Sequence, residues 1–111
     1  MNKFICFIRG GTSNPEELEL DKERWKIWIE NLIENNHVID NGVLTIDGKI
    51  VEDNGTTVKT FHFNLGENAS GYIILQANEL EEAVSLTKDC PVFAYGGNIT
   101  IRPIVEKYSS K

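Results

Sequence analysis

Apolar positions in this 111-residue chain alternate in some stretches and recur every three to four residues in others, which divides it into strands and helices. Lys3 to Arg9 (KFICFIR) predicts a first strand, with Phe4, Cys6 and Ile8 on one face and Ile5, Phe7 and Arg9 on the other. Gly10-Gly11-Thr12-Ser13-Asn14-Pro15 stops it, because paired glycines and a proline do not continue a ladder. A helix is predicted from Pro15 or Glu16 to Asn35, with Asn14 as its cap, proline in its first turn and room for a break near Leu20-Asp21. Leu18, Trp25, Trp28, Ile29 and Leu32 form its buried stripe, Ile33 lies at the edge, and Ile27 falls on the opposite side.

A second strand runs from His37 to Leu44 and leads into a polar, turn-rich segment, TIDGKIVEDNGTTVKTF. Asp53-Asn54-Gly55 between two alternating runs predicts a hairpin, since Asn-Gly accepts the positive φ of a type I′ turn. The next strand, Gly71 to Ala77, precedes a helix opened by a capping-box-like pair, Asn78 and Glu81. Leu80, Ala83, Val84 and Thr87 make its inner face, and Pro91 ends it. Asn98 to Val105 is the last strand, and a polar tail runs to Lys111. No repeat or linker divides the chain, so residues 1–111 read as one domain.

The order β-α-β-(hairpin)-β-α-β predicts an α+β, ferredoxin-like βαββαβ sheet with an added hairpin and both helices on one face. The strands are apolar on both faces, whereas the helices cover only one. Pairing two such sheets face to face would cover the other, so a homodimer is expected.

Composition narrows the function. Hydrophobic content of 41% and charged content of 25% are those of a globular domain rather than a disordered chain. Eleven basic against seventeen acidic side chains give a net charge of −6, which repels a phosphate backbone and argues against nucleic-acid partners. No apolar run reaches the roughly 20 residues of a membrane span, and the start reads as a strand rather than a secretory leader. Cys6 and Cys90 stand far apart in sequence and fit two buried thiols of a cytoplasmic protein, a disulfide or a reactive thiol being the other reading. Two distant histidines and two isolated cysteines offer no metal-site spacing, the glycine pairs lack the rest of a phosphate loop, and no cofactor is expected.

The stretch GYIILQANELEEAVSLTKDCPVFAYGGNITIRPIVE resembles the C-terminal half of YCII-related proteins, including the DGPF-domain subgroup. Trp25-xx-Trp28, Asn41-Gly42 and Asp47-Gly48-Lys49 are similar to that subgroup as well, so the resemblance spans nearly the whole chain. It implies a dimeric α+β barrel, two ferredoxin-like protomers with their sheets packed together. Proteins of the family carry a histidine on the first helix and an aspartate before the proline that follows the second, an acid–base pair. The corresponding positions here are Trp25 and Cys90, with Asp89 adjacent, and the DGPF signature is reduced to Asp53-Asn54-Gly55-Thr56. The resemblance therefore implies fold without carrying over a catalytic pair.

Topology brings Arg9-Gly10-Gly11, Ser70-Gly71, Asp89-Cys90 and Tyr95-Gly96-Gly97 to one rim, where small residues leave room for a ligand or for close backbone approach. The ligand-binding candidates are Arg9, Trp25, Asp89, Cys90 and Tyr95. Arg9 can hold a carboxylate or phosphate, or pair with Asp89. Trp25 and Trp28 can wall a planar ligand or fill the core, and Tyr95 brings a hydroxyl to the rim. His62 points away from Phe61 and Phe63 with no partner identified, and His37 follows a helix end. Three functions fit: a binder of a small organic ligand, an enzyme acting on a small metabolite through Arg9, Asp89 and Tyr95, or an accessory subunit that docks through the 45–63 hairpin.

Overall fold

The computed structural model describes residues 1–105; the polar tail lies outside the described residues. Six strands and two helices follow in the order β1 (Asn2–Arg9), α1 (Pro15–Glu34), β2 (Val38–Val43), β3 (Asp47–Glu52), β4 (Thr57–His62), β5 (Gly71–Ala77), α2 (Leu80–Thr87) and β6 (Asn98–Ile104). A 3₁₀ turn at Pro91–Tyr95 separates α2 from β6. The main sheet is antiparallel in the order β2-β5-β1-β6, the ferredoxin-like arrangement, and β3 and β4 form a separate two-stranded sheet.

The local chemistry explains the boundaries. The Asn14 side chain accepts the Glu16 N–H at 3.0 Å and Pro15 occupies the first turn, so α1 starts where expected. It then runs unbroken through Leu20-Asp21 to Glu34. At α2 the Glu82 carboxylate, rather than that of Glu81, reaches back to the Asn78 N–H at 2.6 Å. Only Ala83 and Thr87 of the expected inner face are buried; Leu80 and Val84 are exposed. The hairpin turn extends the left-handed conformation over Asp53, Asn54 and Gly55 instead of confining it to Asn54-Gly55.

Both helices lie on the Phe4, Cys6, Ile8 face of β1. Cys6, Ile8, Ile73 and Leu75 meet Trp28 and Leu32 of α1, with Cys90 and Val92 from the 3₁₀ turn and its cap, while Phe4 and Ala77 meet Ala83 of α2. Burying Ile73 or Leu75 contributes about 1.5–3 kcal/mol each.

The dimeric α+β barrel implied by the resemblance is not what this chain builds. The sheet is open, with β2 and β6 as its edges, and neither the hairpin nor another strand closes it. On the face away from the helices, Ile5 lies opposite Ile74 and Phe7 opposite Tyr72, each half-buried by its cross-strand neighbours. Lys3, Arg9, Gln76, Thr100 and Arg102 share that face and surround them. The apolar part of that face is thus Ile5, Phe7, Tyr72 and Ile74, with Ile104 at the β6 edge, inside a largely polar border. The β3–β4 hairpin stands off as an arm. The radius of gyration is 15.7 Å, against about 13 Å for a compact domain of this length.

Candidate functional site

The strand register carries Arg9 of β1, and Gly10 just after it, beside Ser70-Gly71 and Gly97-Asn98, which brings together three of the four segments expected at the rim. Ser70 fastens it, donating its N–H to Ile8 C=O at 2.7 Å and its hydroxyl to Gly10 C=O at 2.8 Å. Much of the room left by the glycines is taken by backbone: a Cβ on Gly10 would stand 2.8 Å from the Gly97 Cα.

The cavity lies beside this rim, between α1 and the β2–β5 side of the sheet. It measures about 490 Å³ and is walled by Leu18, Trp25, Ile29, Leu65 and Ile73, with Asp21 among its polar residues. A hollow of about 360 Å³ at the base of the hairpin, lined by Leu44, Phe63 and Asn68, holds no buried ionisable group.

Asp21 distinguishes the larger cavity. It is 8% exposed, and its Oδ1 has no hydrogen-bond partner. Native proteins rarely leave such an atom unpaired, because the desolvation penalty is unrecovered. Burial pushes the Asp21 carboxyl above the usual carboxylate range; Arg24 opposes this, Glu17 adds to it, and the Trp25 indole opposes it. A carboxyl that holds its proton more tightly than usual is suited to exchange a proton with a bound molecule. Lys22 and Lys26, one helical turn apart, line the same cavity.

The sequence-derived candidates separate into two groups. Trp25 lines the cavity and meets Trp28 edge-on at 5.5 Å between ring centroids. Cys90 and Tyr95 lie close enough for the Asp21 charge to raise both: burial dominates in each case and pushes the Cys90 thiol up to about 12. Arg9 instead turns to the opposite face of the sheet and donates to Thr100 Oγ1 at 2.7 Å, and it makes no ion pair with Asp89. Asp89 is exposed. His62 approaches Asp47 at 3.0 Å on the exposed hairpin, and His37 Nδ1 lies 3.1 Å from Gln76 C=O. Among the described residues no three His, Cys, Asp or Glu side chains are placed to hold a metal. Nor is any helix there long and apolar enough to cross a membrane.

Sequence reading passed over Asp21, although its spacing marked it. It lies three residues after Leu18, four before Trp25 and seven before Trp28, inside the apolar stripe of α1.

Comparison with known proteins agrees with the fold. No family model matches the chain, and no curated protein matches its sequence. A solved structure of 5-chloro-2-hydroxyhydroquinone dehydrochlorinase (TftG) from Burkholderia phenoliruptrix AC1100, in complex with 2,5-dihydroxybenzoquinone, is similar with a TM-score of 0.51. The match covers 96% of this chain and 93% of that one at 13% identity. At that identity the match shows a shared fold and nothing further.

Proposed function

We propose that this chain is a distant YCII-related protein that binds a small organic molecule in the cavity between α1 and the sheet, with Asp21 as the polar anchor. The observation that carries this reading is the unpaired, buried Asp21 Oδ1 beside apolar walls of ligand size. A ligand hydroxyl or carbonyl that pairs with Asp21 would remove the cost of leaving it unpaired, and Trp25 offers a flat surface to a ring. TftG, as its name says, acts on a hydroxylated, chlorinated ring, and it holds a dihydroxybenzoquinone, so a ring-sized ligand suits this type of fold. The two buried free thiols fit the reducing cytoplasm.

Catalysis is the second reading, favoured by the one property that Asp21 shares with known proton-transfer groups, a carboxyl made less acidic by burial. Asp21 would then give or take the proton of the bound molecule, in place of the acid–base pair absent at Trp25 and Cys90.

A fragment screen by ¹H–¹⁵N correlation spectroscopy tests the binding reading. Ring-sized hits should move the Trp25 indole resonance, and Asp21→Ala should weaken them tenfold or more without unfolding the chain. Hits that cluster at the hairpin and leave Trp25 unmoved would defeat it.

A further inference from the structure

The lining of the cavity carries information on ligand charge that its shape does not. The chain as a whole is acidic, at −6, and its general field repels anions. The cavity departs from that field. Its only acidic lining residue is Asp21, its neutral polar residues include Thr12, Asn41 and Ser70, and its cationic residues are Lys22 and Lys26. Both lysines are exposed on α1, Lys22 next in sequence to Asp21 and Lys26 next to Trp25. Among the described residues Lys26 makes no ion pair, and Lys22 reaches only the exposed Glu19, at 3.7 Å. Among the described residues, then, the one carboxylate that either ammonium meets is the solvent-exposed Glu19.

The geometry points to a monoanionic ligand with a flat apolar body, an arene carboxylate or a compound of that class, its ring against Trp25 and its charge toward Lys22 and Lys26. This rests on the cavity being a binding site, as proposed above. The lysines lie where long flexible stems can keep their charge in water while meeting a ligand at the mouth. The apolar walls exclude water from the ring, and the two ammonium groups at the mouth outnumber the single Asp21 carboxyl deeper in the lining. A cationic ligand would meet the same two ammonium groups on entry.

The test uses three probes of similar shape, 1-naphthoate, 1-naphthylmethanol and 1-naphthylmethylamine, titrated into the full chain and followed at the Trp25 indole resonance. Naphthoate should bind at least tenfold more tightly than the alcohol, and the amine most weakly. That preference should shrink several-fold in 0.5 M salt and in the K22Q/K26Q double variant. It should persist in K3Q/K49Q, which carries the same change in net charge away from the cavity. If the alcohol matches naphthoate, or K3Q/K49Q weakens naphthoate as much as K22Q/K26Q does, the charge inference fails while the cavity remains a site. If none of the three moves Trp25 at millimolar concentration, the cavity reading fails and the inference with it.

Discussion

Gly10 and Gly97 meet backbone to backbone: a Cβ on Gly10 would stand 2.8 Å from the Gly97 Cα, and one on Gly97 would stand 2.5 Å from Val92 Cγ2. Gly97 also donates its N–H to Val92 C=O at 3.1 Å, so the contact ties the end of β1 to the 3₁₀ turn that carries Cys90's neighbours. Gly97→Ala should therefore cost about 1–3 kcal/mol through overpacking. Gly96→Ala faces open space and a φ of 71°, so only the left-handed conformation opposes it, at roughly 1 kcal/mol. Urea unfolding of the two variants should rank Gly97→Ala as the less stable. The reverse order would mean that the rim relaxes and that close packing is not its purpose.

The hairpin arm should be the least protected part of the ordered chain. β1 is hydrogen-bonded on both sides, to β5 and to β6, and sits over the core, whereas β3 and β4 pair only with each other. Val51, Val58 and Phe61 remain exposed there, and an isolated two-stranded hairpin is marginal in water. Native-state amide exchange should show protection close to the global value in β1 and β5, and exchange in β3–β4 at least a hundredfold faster. Equal protection across both sheets would show that something covers the arm.

Much of this fold was legible because local and long-range signals agreed. KFICFIR and GYIILQA alternate with large residues on both faces, and Asn14-Pro15 marks a helix start by both side-chain capping and fixed φ. The closed barrel does not follow from the sequence, because apolar residues on two faces of a strand do not by themselves require two covers. Alternation cannot show that Ile5 and Ile74, or Phe7 and Tyr72, shelter one another across strands within a border of Arg9 and Arg102. Topology brings Gly10, Ser70 and Gly97 together, yet the Arg9 side chain turns away from them: Thr100, directly across from Phe7 on β6, offers a hydroxyl on the far face. Asp21 was missed for the opposite reason. A charged residue inside a helical stripe is usually a solvated one, and only the depth of α1 against Cys90 and Tyr95 reveals that this one is not.

Both thiols should be inert in the folded chain. Burial pushes Cys6 up to about 11 and Cys90 up to about 12, so the reactive thiolate is scarce near neutrality, and both side chains are buried. A disulfide reagent at pH 8 should label neither residue until urea unfolds the protein, and should then label both. The same shifts carry a sign for stability. The folded thiols hold their protons beyond the point at which the unfolded ones, near 9, release them, so the unfolded state gains from deprotonation first. Stability should fall as pH rises from about 9 toward 11. Cys6→Ala or Cys90→Ala should each reduce that alkaline slope, although each lowers stability at neutral pH by emptying core volume. Rapid labelling of Cys90 in the native protein would return it to the list of accessible ligand-binding groups.

Asp21 should set a pH dependence at the acid end, and its sign is opposite to that of a salt-bridged carboxylate. Burial raises its carboxyl in the folded state, Glu17 reinforces the shift, and Arg24 and the Trp25 indole reduce it. Between the unfolded and folded values the native chain therefore binds the extra proton, so stability falls as pH rises through that window and then levels off. Asp21→Asn cannot ionise and lacks this loss. The melting-temperature difference, variant minus parent, should be smallest near pH 4, grow as pH rises, and become flat once the parent carboxyl has ionised. Exposed carboxylates elsewhere are common to both proteins and cancel in the difference. A ligand that pairs with the neutral carboxyl should shift the rise to higher pH in the parent and leave the variant's curve unmoved. A difference that stays constant from pH 4 to 8 would show that Asp21 is solvated and ordinary, and would remove the main support for placing a ligand beside it.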